Sequence, residues 1–315
     1  MYKNKTISLV IPAHNEQRLI KPTLESVPKI VDKVYVIDDA STDNTADVIR
    51  EIIKKDPRIV LIINEKNLGP GGSIIRGYKE SIKNKADIAV VVGGDNQMPM
   101  DVMESFLDPI INDGYDYTKG NRFLVEENVF EDMPMIRQVG NSIISLLTKV
   151  ASGYYKIFDF VDGYTAISKR ALDTINWSKA WPKYGYPMDF LIRLNAYGFK
   201  VKDVPRKAIY LPGERQSQIK GFSYALKVSP MLLKGFFWRL LKKYIFRDFH
   251  PLIFCYLGGI VLIPSGFLWG IHLIIKQINA IDVSGPQAIL CALLIILGFQ
   301  SLLFAMLFDM QESDD

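Results

Sequence analysis

The stretch Gly93-Gly94-Asp95-Asn96-Gln97 follows the apolar run Ile88–Val92 and carries one carboxylate. Oxygen donors beyond a strand suit a hard divalent cation; Mg²⁺ often takes only one or two carboxylates and fills its shell with substrate phosphates and water. Nucleotide-handling sites at such places often carry a carboxylate pair. Here the position two before Asp95 is Gly93, so Asp95 is either a cation ligand lacking its partner or a turn aspartate. Two further polar clusters follow apolar runs: Pro12-Ala13-His14-Asn15-Glu16 and Asp38-Asp39-Ala40-Ser41-Thr42-Asp43. A fixed carboxylate such as Asp39 can accept hydrogen bonds from sugar hydroxyls or a base N–H, whereas Ser41 or Thr42 could simply cap a helix. The piece Gly69-Pro70-Gly71-Gly72-Ser73 lacks both GxGxxG and GK[ST]. Its amides could meet a phosphate, but a tight turn opening a helix is the better reading. Further along, Arg137 and Asn141 are four apart and share a helix face. Asp189 could be a general base or could pair with Arg193, also four residues on.

These groups need a scaffold. Ile7–Ile11, Val34–Ile37, Ile59–Ile63 and Ile88–Val92 are short, β-branched, near-continuous apolar runs, as in strands buried on both faces. Helical stretches, roughly Arg18–Val27, Thr45–Lys54 and Ser73–Lys83, lie between them. The alternation predicts a doubly wound α/β sheet with right-handed crossovers. Ligands of such sheets bind beyond the carboxyl ends of the strands, where the polar clusters fall.

The chain of 315 residues, with a net charge of +4, is uneven. Leu252–Ile275 and Ala288–Phe308 contain no Asp, Glu, Lys or Arg, and each is about the ~20 residues that cross a bilayer core. They read as a transmembrane hairpin, the first span kinked at Pro264. Cys255 and Cys291 lie within them as apolar fillers, since no CxxC or Cys/His spacing exists. Gly221–His250 interleaves aromatics with Lys and Arg, as in one or two interfacial amphipathic helices broken near Pro230; nucleic-acid binding is the rival reading, and the spans that follow at once weigh against it. The N-terminus lacks a signal-peptide pattern, and basic residues concentrate before the first span, so the positive-inside rule places residues 1–250 in the cytoplasm. The expected organisation is 1–220 catalytic, 221–250 juxtamembrane and 251–315 membrane hairpin with a short cytoplasmic tail.

Taken together, V-I-P-A-H-N-E, V-I-D-D-A-S-T-D, N-L-G-P-G-G-S-I-I-R-G and V-V-V-G-G-D-N-Q-M-P resemble the inverting nucleotide-sugar glycosyltransferases of family two, over about residues 5–220. Within it, the polyprenyl-phosphate glycosyltransferases, including dolichol-phosphate mannose synthases, look most similar. The resemblance implies a GT-A fold (a doubly wound mixed sheet), a nucleotide-sugar donor and Mg²⁺ or Mn²⁺. It implies that Pro12, His14 and Glu16 line the nucleotide pocket and that Ile37 and Asp39 contact base and ribose. The family's Asp-x-Asp-x-Gln reads Gly93-Gly94-Asp95-Asn96-Gln97 here: Asp95 and Gln97 match the metal positions, Gly94 lies between donor and cation, and the first carboxylate is absent. Arg122 matches a phosphate-binding arginine, and Arg137 with Asn141 the acceptor-phosphate pair. Asp159-Phe160-Val161-Asp162-Gly163-Tyr164-Thr165 is similar to Asp-x-x-Ser-Gly-Phe-Arg, departing at Asp162 and Thr165. Arg215, with Lys220, would belong to a loop closing over the donor. The implied reaction transfers a hexose, from GDP-mannose ahead of UDP-glucose, to a polyprenyl or dolichyl phosphate at the cytoplasmic membrane face, with inversion. Alternatives are transfer to a sugar hydroxyl of a lipid-linked or polysaccharide acceptor, with Asp189 as base, and a noncatalytic membrane paralogue.

Overall fold

In a computed structural model of the chain, residues 1–125, 135–207, 209, 221–247 and 250–312 are described, with the backbone alone for 135–141 and 221–223. The chain divides into two compact units, Met1–Phe236 and Phe237–Asp315.

The first unit is built on seven strands: β1 (Ile7–Ala13), β2 (Lys33–Asp38), β3 (Ile59–Ile63), β4 (Ile88–Val91), β5 (Tyr117–Asn121), β6 (Thr165–Ser168) and β7 (Val201–Pro205). Their order in the sheet is β3-β2-β1-β4-β6-β5-β7. β1, β2, β3 and β4 are parallel. β6 runs against both β4 and β5, and β7 is parallel to β5. Every strand except β6 therefore ends at the same edge, and β6 begins there. The parallel, wound part, β1 to β4, is what the apolar runs predict, and the mixed sheet is what the resemblance implies; β5, β6 and β7 had no comparable apolar signal.

Side chains alternate across a strand, and β1 shows the consequence. Ile7, Leu9 and Ile11 join the core beneath α1 (Ile20–Glu25), α2 (Thr45–Ile53) and α4 (Met103–Asn112), through Ile20, Leu24, Ile49, Phe106 and Leu107. Val10 faces the other way, against α3 (Pro70–Lys83), where a Cβ on Gly77 would lie 2.2 Å from its Cγ1. The remaining helices of this unit are α5 (Met135–Ser152), α6 (Lys169–Thr174) and α7 (Tyr186–Ala196).

α8 (Gly221–Leu241) runs unbroken through Pro230, which corrects the expected break. Proline removes one backbone bond and crowds the preceding turn, but Val228, Met231, Leu232 and Phe236 around it are buried, and that packing holds the helix. One wider turn of π-helix, Lys242–Arg247, follows. α9 (Leu252–Ile278) and α10 (Gly285–Gln311) contain 18-residue stretches with mean hydropathies of 2.0 and 2.5 and are both long and apolar enough to cross a membrane. They pack closely: a Cβ on Gly259 would fall 2.5 Å from Leu302, and one on Gly298 2.7 Å from Ile263, the small-residue contact typical of membrane helices. Asp309 of α10 is fully buried. Arg239 donates to both its oxygens (2.8 and 2.7 Å), joined by the hydroxyls of Tyr244 (2.5 Å) and Tyr256 (3.1 Å).

Candidate active site

The polar clusters meet at the shared strand edge. The turn after β4 is tied to β1 by the Gly94 amide, which donates to the Pro12 carbonyl (3.2 Å). Asp95 is half-buried, and its Oδ1 accepts only a long bond from the Gln97 amide (3.3 Å). Burial raises its carboxyl above the usual range, while the Gln97 amide and the Arg206 charge oppose the shift. A Cβ on Gly93 would lie 2.9 Å from Asp95 Oδ1. The single carboxylate thus leans over the place where the missing partner's side chain would start.

Among the described residues no group of three or more His, Cys, Asp or Glu could hold a metal ion. The protein offers instead one accessible carboxylate and the Gln97 amide group on one turn. That donor set fits Mg²⁺ or Mn²⁺ when diphosphate oxygens and water complete the shell.

Asp39 follows β2 and is 4% exposed. Its carboxylate accepts from Asn64 Nδ2 (2.7 Å) and from the amides of Leu68 (2.8 Å) and Gly69 (2.8 Å). About three of its roughly four acceptor sites are thus occupied, and it organises the loop leading into α3. Ile37 is fully buried in β2, between Pro12 of β1 and Ile62 of β3. Pro12 is half-buried and His14 exposed; His14 Nδ1 lies 2.9 Å from the Asp39 carbonyl, and the Glu16 amide donates to Thr45 (2.8 Å). The glycine-rich piece opens α3 as read, but Gly69 is the cap and Pro70–Ser73 already form the helix's first turn. A Cβ on Gly71 would sit 2.5 Å from the Trp181 carbonyl, and the Gly72 amide donates to the Pro182 carbonyl (2.8 Å). The segment so docked presents Tyr184, 49% exposed. Burial first, then the charges of Glu16, Asp95 and Asp39, raise its phenol above the ordinary value.

Arg122 follows β5 and grips Asp159 with two nitrogens (2.7 and 3.0 Å). It also approaches Asp162 (3.5 Å) and is 27% exposed along its side chain. Beneath it Lys119 is fully buried. Burial pulls its ammonium below the usual lysine value, against the opposing charges of Asp159, Asp162 and Asp203. Asp189 is 6% exposed; it pairs with Arg193 Nε (2.7 Å) and accepts from the Trp181 amide (2.8 Å). The salt-bridge alternative is the one formed. Arg137 and Asn141 fall within α5, but their side chains lie outside the described residues, as do Arg215 and Lys220 altogether.

Three residues escaped the sequence reading. Asn64 had a signal, a polar residue directly after the apolar run Ile59–Ile63. Tyr184 and Arg206 had none, since each reaches the edge only through tertiary pairing.

A mixed sheet whose strand ends gather a carboxylate turn, an organised loop and an arginine defines a GT-A glycosyltransferase. Residues 8–175 match the description Glycosyl transferase family 2, and the chain belongs to that family. It is 31% identical over 220 residues to the UDP-N-acetylglucosamine–dolichyl-phosphate N-acetylglucosaminyltransferase of Methanococcus voltae, covering 66% of this chain and 87% of that one. With the dolichol-phosphate mannosyltransferase of Pyrococcus furiosus it shares 26% identity over 292 residues, covering 88% of this chain and 77% of the relative. Among solved structures, glucosyl-3-phosphoglycerate synthase from Mycobacterium tuberculosis with Mn²⁺, UDP and glucosyl-3-phosphoglycerate superposes with a TM-score of 0.52 at 20% identity, covering 75% of this chain and 80% of the other. That likeness speaks to the fold.

Proposed function

We propose that the protein transfers a sugar from a nucleotide-sugar to a polyprenyl or dolichyl phosphate at the cytoplasmic face of a membrane, with inversion at the anomeric carbon. The observation that carries the choice of acceptor is the state of Asp189. A hydroxyl acceptor needs a base within reach of its proton, and Asp189 is locked by Arg193 and the Trp181 amide. A phosphate monoester, with its second pKa near ~6, arrives largely ionised and needs no such base. The names of the Methanococcus and Pyrococcus relatives, and the two apolar helices, support the same reading.

In this mechanism Asp95 and Gln97 would hold the cation, which when bound would supply positive charge beside the donor diphosphate. Asp39 positions the loop beside the nucleotide, with Pro12, His14 and Glu16 around it. Arg122, held by Asp159, meets donor or acceptor phosphate, and a guanidinium can bind phosphate through two parallel bonds. Arg137 and Asn141 hold the acceptor phosphate, and Arg215 closes over the donor. The relatives' names divide between N-acetylglucosamine and mannose, so the test uses a panel. Full-length protein in detergent is incubated with polyprenyl phosphate and radiolabelled UDP-N-acetylglucosamine, UDP-glucose or GDP-mannose. Label entering the lipid phase with one donor, as a β-linked product from an α-linked donor, is expected. Label moving only to a sugar hydroxyl acceptor would overturn the reading.

A further inference from the structure

The turn that carries Asp95 is weakly tied within itself. Its internal bonds are the long Gln97-to-Asp95 contact (3.3 Å) and a bond from the Gly93 amide to the sulfur of Met98 (3.3 Å). Asn96 adopts φ +54°, a left-handed conformation that costs a residue other than glycine. The turn is held from outside. Gly94 is bonded on one side, its amide to Pro12 and its carbonyl to Thr23 Oγ1 (3.2 Å). On the other side the main-chain oxygen of Gln97 receives Arg206 Nη1 (3.4 Å) and the Ile209 amide (3.3 Å), both from beyond β7.

Arg206 is itself fixed. It is 5% exposed, and two of its nitrogens hold Oδ2 of Asp162 (2.8 and 2.7 Å). Its amide reaches the Asn121 carbonyl (3.3 Å). Gly120 leaves room for the pair: a Cβ there would lie 2.8 Å from Asp162 Oδ1 and 3.0 Å from Arg206 Nε. We propose that Arg206 is a positioning residue for the cation turn: clamped on Asp162, it braces the Gln97 carbonyl and so fixes where the lone Asp95 carboxylate points. With no carboxylate at Gly93, placement of the cation depends on that one side chain. A guanidinium suits the task because its fork grips Asp162 while Nη1, which carries two N–H groups, donates to the carbonyls of Lys207 (3.0 Å) and Gln97 (3.4 Å), whereas an ammonium is a single point of charge. Asp162, where the chain departs from the family motif, is thereby the anchor of the brace. The inference rests on the cation-dependent reading proposed above.

The test is Mn²⁺ binding to the full-length protein, followed by electron paramagnetic resonance with UDP or GDP present, for wild type, Arg206→Lys, the double variant Arg206→Met/Asp162→Asn, and Asp95→Asn. Lysine can keep the charge pair with Asp162 but not the reach to Gln97. Arg206→Lys is therefore expected to melt close to wild type, to bind nucleotide without cation within about twofold of wild type, and to lose at least about tenfold in Mn²⁺ affinity, which is about 1.4 kcal/mol. The double variant removes both charges together and is expected to show the same loss, which covers the case in which the lysine variant does not fold. Wild-type Mn²⁺ affinity in either folded variant overturns the brace, as does rescue by lysine to wild-type affinity. If Asp95→Asn also binds Mn²⁺ like wild type, the cation site itself lies elsewhere and the underlying reading fails with it.

Discussion

Each unit of the protein buries ionised side chains, and the two do so in different ways. In the second unit Arg239 and Asp309 form a closed set: both carboxylate oxygens have a guanidinium nitrogen and a tyrosine hydroxyl. In the first unit Lys119, Arg122 and Arg206 face Asp159, Asp162 and Asp203, and the set is open. Among the described residues Lys119 Nζ has one long bond, to the Gly120 carbonyl (3.4 Å), and Asp203 Oδ1 is buried without a hydrogen-bond partner. Saturated buried pairs fix an arrangement; incompletely satisfied ones gather where a ligand is to be met. The contrast separates a lock from a site.

The largest effect is expected where the lock is broken on one side. Arg239→Met leaves Asp309 buried and unpaired, a loss of about 3–5 kcal/mol, read as thermal unfolding in detergent. The double variant Arg239→Met/Asp309→Leu should recover most of it, because neither charge remains. A single variant as stable as wild type would show the set is not closed. Next comes the site. Asp95→Asn should lower transfer by at least about a hundredfold, about 2.7 kcal/mol, with little change in melting, and EDTA should reproduce the loss in the native protein. Undiminished transfer in EDTA would remove Asp95 from the cation site. Arg122→Lys should be milder, since lysine cannot copy the bidentate grip on Asp159; transfer should fall about tenfold while stability changes less. A stability loss with unchanged transfer would make Arg122 part of a lock after all.

The smallest effect is a pH dependence. Burial works to raise the Asp159 carboxyl, but Lys119 and Arg122 outweigh it and hold it below the usual range. Its contribution is therefore fully present above the unfolded carboxylate value, ~3.9, and is lost as pH falls through the lower folded value. Acid unfolding of Asp159→Asn should be less steep below about pH 4 than that of wild type. An unchanged acid limb would mean Asp159 is not held ionised.

How much of this was legible depended on how local each signal was. β1 to β4 stood out because strands buried on both faces read as apolar runs, and β3 falls on Ile59–Ile63 as expected. β5 and β7, Tyr-Thr-Lys-Gly-Asn and Val-Lys-Asp-Val-Pro, carry no apolar run to mark them. Their Lys119 and Asp203 are buried only because opposite charges arrive from other parts of the chain. The start of α3 was misread by a few residues, at Ser73 instead of Pro70, although proline suits the first turn of a helix. The carboxylate turn was visible from its motif. Its brace was not, because Arg206 and Asp162 are 44 residues apart and each alone resembles a solvated charge.

The lock in the second unit also imposes an order in time. Asp309 is made 70 residues after Arg239. At roughly 5–20 residues per second, Arg239 waits about 4–14 seconds for its partner while both long apolar helices are synthesised. Throughout that interval its guanidinium must stay with water or lipid headgroups, because a bare charge cannot be buried. Closure of the pair therefore comes only after α9 and most of α10 exist, which makes the buried arginine a record that the hairpin was completed.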